Sequence, residues 1–392
     1  MPDSVSTAEI TVIQNARALL PDGFQDGISV TFQGGKIIEI ADHATPADRV
    51  IDGSEMTLLP GIVDLHGDAF EREIAPRPGV SFPLDLAIEA NDTALISNGV
   101  TTFFYSITDG FEPGVRSRET VRGLIDIIEA KRPTLRSDSR LHIRHETAAT
   151  EGHNELLDWI GRRRIDLLSL NDHLPPLGDE AKTARYIKGA LRRVTMTVQE
   201  METFIQEKQA QRGLGESQVL ELADAAHTVD LTLASHDERT EDDAAQAERL
   251  KVGICEFPLT EYCAERGLAR GAAVVMGAPN LVRGGSHVGG TSVRDEVAAG
   301  RVTVLVSDYY YPSLLRAPFL LAELNIRSLA DAWQLVSGNP AKAAGLSGIK
   351  GQITLGADAD LLGLKSPSGG KLHGYSGELA LVTSRGKIAA AR

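Results

Sequence analysis

Between about residues 60 and 345 the chain repeats one pattern that restricts its fold more than anything else in it. Short apolar runs end in polar or ionisable residues and are separated by stretches with helical periodicity. The runs are GIVDLH, VTTFFYSI, RLHIRHE, IDLLSLND, VDLTLASHD, VGICEFP, GAAVVMGAP and VTVLVSD; RETVRGLIDIIEAKR and NELLDWIGRRR are two of the helical stretches. Near-continuous apolar strands that alternate with helices make a parallel sheet covered on both faces. Eight such units in roughly 285 residues fit a (β/α)8 barrel, which typically uses about 250. In a barrel the C-terminal ends of all strands meet at one mouth, so the residues that close each run become neighbours.

The flanks read differently. EITVIQNARAL, GISVTFQGGKIIEI and MTLLPG near the start, and GQITLGADADLLGL and GELALVTSRGKIAAAR near the end, are β-rich and broken by Asp-Gly, Gly-Gly and other Gly-containing turns. The expected organisation is an α/β TIM-like barrel over 60–345 and a small β domain built from both termini, 1–59 with 346–392. Separate packing of each flank on the barrel is the alternative. A helical insertion at about 180–229 exceeds a bare barrel unit. Ile187, Leu191, Val194, Val198, Met201 and Phe204 recur at three- and four-residue steps, and Gly213-Leu214-Gly215 reads as the break before a second helix. Met196 and Met201 read as core residues. Lys188, Arg192 and Arg193 fall on the polar side and read as solvated charges, unless the helix caps the mouth.

Composition narrows the function classes. Hydrophobic and charged fractions of 42% and 24% are those of an ordinary globular protein. No window approaches the roughly 18 apolar residues that span a bilayer, and the start lacks a basic, then apolar, leader. Cys255 and Cys263 make no disulfide framework, so a cytoplasmic protein without membrane partner is expected. A net charge of −14 argues against a nucleic-acid partner. An anionic substrate would need local neutralisation by metal ions, arginines or helix N-termini.

His66 with Asp68, Glu146, His173, His236 with Asp237, and Asp308 stand at or just past the strand ends. Singly, each has a plain structural explanation: His173 as a loop histidine, Asp308 as a turn cap. Together they repeat one placement and supply imidazoles and carboxylates, a mixed set that suits zinc, manganese or iron(II) better than magnesium or calcium.

The motifs DLHGDAFE…PRPG, HIRHE, SLNDH, ASHDE, CEFPLTEY, VMGAPNLVRGGSHVGG, VSDYYYP and VSGNPAKAAGL…GQITLGADADL together resemble the PhnM family of the amidohydrolase superfamily, from about residue 5 to 385. The resemblance implies a metal-dependent barrel of the amidohydrolase type, with two divalent ions held by His66, Asp68, Glu146, His173, His236 and Asp308. Glu146 takes the position of a bridging carboxylate, and Asp308 is the candidate general base. The implied reaction removes pyrophosphate from α-D-ribose 1-methylphosphonate 5-triphosphate, leaving the 5-phosphate, in the carbon–phosphorus lyase route of phosphonate catabolism. Many relatives have Thr-Asp-Asn-Leu-Glu after the first histidine, where this chain has Gly67-Asp68-Ala69-Phe70-Glu71. That difference leaves the ligands in place and alters the nearby lining.

Arg77, Arg283 and His287 are the candidate cations for such a phosphorylated sugar, with Ser286 in the Gly-rich segment where backbone N–H groups can close on phosphate oxygens. Tyr309 and Arg144 are weaker candidates; Arg144 is as readily placed in the barrel wall. Glu71 either supports the ligands or begins a helix. A phosphohydrolase for another nucleotide or sugar phosphate, and an amidohydrolase acting on an amide or cyclic imide, use the same ligands. Superfamily habit implies a homo-oligomer, a dimer or larger.

Overall fold

The computed structural model describes residues 8–43, 46–77, 79–285, 292–366 and 377–391. Among the described residues, five strands come first: β1 (Thr11–Leu20), β2 (Gly23–Gln33), β3 (Lys36–Ala41), β4 (Arg49–Asp52) and β5 (Met56–Pro60). Eight follow: β6 (Ile62–Gly67), β7 (Val100–Asp109), β8 (Asp138–Glu146), β9 (Leu167–Asn171), β10 (Thr232–His236), β11 (Ile254–Glu256), β12 (Ala273–Gly277) and β13 (Val304–Val306). Three come last: β14 (Leu361–Lys365), β15 (Glu378–Ser384) and β16 (Lys387–Ala391).

The strands β6 to β13 pair in chain order, all parallel, each reached through helices as the alternating pattern requires. The ring is drawn together between β6 and Asp308, two residues past β13. Asp308 N–H donates to His66 O and Asp68 N–H donates to Asp308 O, both at 2.9 Å. Val63, Leu65, Phe104, Leu167, Ile254, Val304 and Val306 fill the interior below the mouth. A larger apolar cluster lies between strands and surrounding helices.

The flanks form one sheet in the order β16-β15-β14-β5-β1-β2-β3, with β4 also on β1. The junction is β5 against β14, antiparallel from Met56↔Lys365 to Pro60↔Leu361, which decides against separate packing of the two ends. A buried ion cluster ties this sheet to the barrel. Lys350 Nζ lies 2.8 Å from Asp358, 2.9 Å from Asp360 and 3.3 Å from Asp138 at the start of β8.

The insertion differs from its sequence reading. It holds three helices, Glu180–Ala190, Val198–Ala210 and Arg212–Thr228. The first break falls at 191–197, where Thr197 and Glu200 form a capping box that starts a new helix. The phase shift leaves Val198 exposed while Ile187 and Met201 are buried. Gly213-Leu214-Gly215 breaks nothing. Gly215 sits inside the third helix because a Cβ there would lie 2.1 Å from Thr147 O, so glycine lets this helix press on the backbone just after β8. Among the described residues no helix is long and apolar enough to cross a membrane.

Candidate active site

Side chains of a strand alternate between faces, so in β8 His142, Arg144 and Glu146 share one face while His145 turns the other way, to Asp109 (2.7 Å). The first three meet His66 from β6, His236 from β10 and Glu256 from β11. Ring centroids of His66 and His236 are 5.6 Å apart, those of His173 and His236 5.1 Å. Phe257 sets its ring against both His66 and His236 and supplies an apolar wall. Asp237, Phe257 and Asp308, which follow strands, have φ of 57°, 52° and 52°. Left-handed backbone costs about 1–3 kcal/mol at a non-glycine residue, and here it turns the chain at the rim so that these residues stay over the mouth.

The deep part of the cluster is satisfied by hydrogen bonds. His66 Nδ1 donates to Glu256 Oε1 at 2.8 Å, with both residues almost fully buried. Burial, helped by the nearby Arg144 charge, pushes the His66 imidazole well below its ordinary pKa, so Nε2 keeps its lone pair. His142 Nδ1 lies 3.0 Å from Leu65 O, which can only accept, and burial lowers its pKa to about 3. Its Nε2 lone pair stands 3.8 Å from Glu256 Oε2. His66, His142 and Glu256 are near enough to share an ion, but the bond from His66 to Glu256 makes the carboxylate a support for the imidazole.

The outer part has a different chemistry. His173, His236 and Asp237 also converge closely enough to hold an ion. Arg144 Nη2 donates to His236 Nε2 at 3.1 Å, and Nη1 lies 3.5 Å from Asp68 Oδ2. The expectation that Arg144 is as readily placed in the barrel wall is thus corrected: its guanidinium lies in the centre. Glu146, expected between two ions, has both oxygens engaged by His173, one by Nδ1 at 2.5 Å and the other by the backbone N–H at 3.1 Å. The Glu146 charge raises the His173 pKa to about 10. Burial, with Glu71 and Asp308 adding, raises Asp68 to about 6. Burial, with Asp64 and Asp237 adding, does the same to Asp308, and Arg144 opposes both shifts. Crowded carboxylates, imidazole lone pairs and buried atoms without a hydrogen-bond partner among the described residues, at Asp64 Oδ2, His142 Nε2 and His236 Nδ1, fit a divalent metal.

The other sequence candidates divide. Arg283 is exposed at the end of helix Ala278–Arg283, and its Nη1 donates to Tyr309 Oη at 3.3 Å. Tyr309 O accepts from Arg72, a residue the sequence reading did not single out. Arg77 is exposed and, among the described residues, forms no hydrogen bond or ion pair with the cluster. Ser286 and His287 lie outside the described residues. Glu71 forks onto Arg116 at 3.0–3.3 Å. Arg193 is exposed, as a solvated charge would be, but it also forks onto the buried Glu112 at 3.0–3.3 Å, and Tyr186 Oη donates to the same carboxylate at 2.6 Å. The insertion is thereby strapped over a cavity of about 220 Å³ that reaches Arg144, Glu146 and His173. His142, which the sequence reading did not name, was findable from the two-residue period of β8 that it shares with Arg144 and Glu146. Nothing in the local pattern marks Glu112, Arg116 or Tyr186.

No protein-family model matches the chain. Over 357 residues, 90% of this chain and 94% of the relative, it is 32% identical to the α-D-ribose 1-methylphosphonate 5-triphosphate diphosphatase of Escherichia coli (strain K12). A stretch of 58 residues, 15% of this chain and 14% of the relative, is 40% identical to 5-methylthioadenosine/S-adenosylhomocysteine deaminase 1 of Archaeoglobus fulgidus. Among solved structures, dihydropyrimidinase from Brevibacillus agri superposes with a TM-score of 0.66 at 12% identity, covering 97% of this chain and 95% of that one. A Xaa-Pro dipeptidase with bound methionine superposes with a TM-score of 0.66 at 14% identity, covering 97% and 99%. At such identities these two speak for the barrel with its added β-sheet alone. A match spanning nearly the whole of both sequences, on the fold of the amidohydrolases, means that the chain belongs to the PhnM family, hydrolases of the amidohydrolase superfamily.

Proposed function

We propose that this protein hydrolyses α-D-ribose 1-methylphosphonate 5-triphosphate to the 5-phosphate and pyrophosphate, as a step in phosphonate catabolism. The observation that carries this reading is the 32% identity to a diphosphatase of that substrate over 90% of the chain. The mouth adds chemical support: carboxylates and imidazoles converge at its centre, with arginines on both sides, in a protein of net charge −14.

His66, Asp68, His173, His236 and Asp308, with Glu146 behind His173, would hold one or two divalent ions, zinc, manganese or iron(II) by the donor set. Such an ion supplies a polarised phosphoryl oxygen and a water acidic enough to react near neutral pH. The protein's own groups do the rest. Asp308 is tied by its backbone to His66 and Asp68, and its carboxylate takes the proton of the attacking water. The new bond joins that water oxygen to phosphorus as the anhydride bond to pyrophosphate breaks. The departing pyrophosphate is a stable anion that needs charge neutralisation more than a strong acid. Arg283, held at Tyr309, provides it on the exposed side of the mouth, and Glu256 keeps His66 in the tautomer that leaves Nε2 free.

Phosphorus NMR of the products from metal-loaded enzyme and this substrate is the test. Pyrophosphate appearing with the 5-phosphate is the expected outcome. Orthophosphate release would refute the cleavage position, and no turnover with bound metal confirmed would refute the substrate.

A further inference from the structure

The cavity under the insertion reaches Arg144, Glu146 and His173 and carries three arginines on its lining. Its inner wall is Arg144, 8% exposed, whose Nε has no hydrogen-bond partner among the described residues. Nε itself is closed to solvent, so what Arg144 brings to the cavity is the positive charge of its guanidinium. Arg116 lines the same cavity. Its Nε and Nη2 fork onto Glu71, whereas Nη1 donates to nothing among the described residues. Arg193 and Tyr186 close the outer wall, both fastened to Glu112, so the Glu112 charge is already compensated. Arginines therefore outnumber carboxylates on the lining, in a strongly acidic chain. Phe111, stacked on Tyr186 with centroids 6.4 Å apart, adds apolar surface beside them.

The other arginine pair of the mouth, Arg283 and Arg72 at Tyr309, lies on the β13 side and is exposed. A leaving pyrophosphate can depart by that exposed side, which leaves the cavity under the insertion for another part of the substrate. The substrate in the function proposed above, on which this inference rests, has a second anion at the far end of the ribose, a phosphonate bearing a methyl group that cannot hydrogen-bond. We propose that the cavity between Arg116, Arg144, Arg193 and Tyr186 seats this methylphosphonate end, and that the insertion makes the enzyme selective for sugars carrying it. Arginine donors meet the phosphonate oxygens, and Phe111 with Tyr186 meets the methyl group. Arg193 acts as a positioning residue: it cancels the Glu112 charge that would otherwise repel the anion.

The test compares two substrates on Arg193→Gln, with Arg193→Lys as the variant that keeps the charge. For the methylphosphonate substrate KM should rise at least about tenfold in Arg193→Gln, with kcat changed far less, and largely recover in Arg193→Lys. For ribose 5-triphosphate, which lacks the phosphonate, KM should stay within about twofold. Equal rises for both substrates would overturn the proposal and place the triphosphate in the cavity. A second readout needs no turnover: methylphosphonate titrated into metal-stripped protein and followed by phosphorus NMR should bind saturably to wild type and much more weakly to Arg193→Gln. Absence of binding to wild type would overturn the proposal. Should wild type cleave neither triphosphate, the function proposed above fails, and this titration still decides for or against the cavity.

Discussion

Replacing Glu256 by Gln measures how strongly a buried carboxylate behind a histidine governs the metal centre. Glu256 Oε1 accepts from His66 Nδ1 at 2.8 Å, and Oε2 lies 3.1 Å from Ser169 Oγ. Glutamine is nearly isosteric and keeps one oxygen to accept from His66. Its amide can donate to Ser169 Oγ, whose own hydrogen then goes to Asn171 Oδ1 at 2.8 Å. The fold should tolerate the change; what disappears is the charge. Hydrogen bonds to charged groups contribute about 1.5–3 kcal/mol against about 0.5–1.5 for neutral ones, so the His66 contact weakens by roughly 1–1.5 kcal/mol. That corresponds to about tenfold in affinity, at the lower end of the 10–100-fold typical for partners behind a metal ligand. The assay is competition for zinc or manganese between metal-stripped protein and a chromogenic chelator, with circular dichroism confirming equal folding. Affinity within about twofold of wild type would refute the argument that Glu256 tunes His66.

Three further outcomes are expected. Asp308→Asn should lower turnover at least about a hundredfold while largely sparing metal content; near-normal turnover would remove Asp308 from proton transfer. Lys350→Met should destabilise the fold by about 3–5 kcal/mol at neutral pH, because it leaves buried carboxylates without their cation, as measured by urea unfolding. Burial opposes ionisation of Asp138 and Asp358, but Lys350 and neighbouring cations hold both below the ordinary carboxylate value. Their contribution to stability is therefore present above the unfolded value near pH ~4 and lost as pH falls through the depressed folded values. The gap between wild type and Lys350→Met should narrow below that pH; a gap that stays constant would count against the cluster. Gly215→Ala should cost about 1–3 kcal/mol through its collision with Thr147 O. Gly213→Ala, with open space around its Cβ, should gain up to about 1 kcal/mol of helix stability, and melting curves of the pair in the same direction would refute this reading.

The sequence by itself determined the barrel, because its signal is local and repeated. Apolar runs bury strands on both faces, and only a ring places eight consecutive strand ends at one mouth. It pointed to several of the candidates for the same reason: His66, His173, His236 and Asp308 stand at or just past strand ends, where any barrel brings residues together. Tertiary structure decided what depends on pairs far apart in the chain. Glu256 is an unremarked acid in ICEFP until β11 sets it against His66, some 190 residues away. Arg193 is a polar-face arginine until the helix break at 191–197 turns it onto Glu112. Gly215 looks like a helix breaker until the helix meets the backbone at Thr147. Periodicity specifies which face of an element is buried; it says nothing about what that face meets, and the charge pairing and close approaches that shape this site arise only from that meeting.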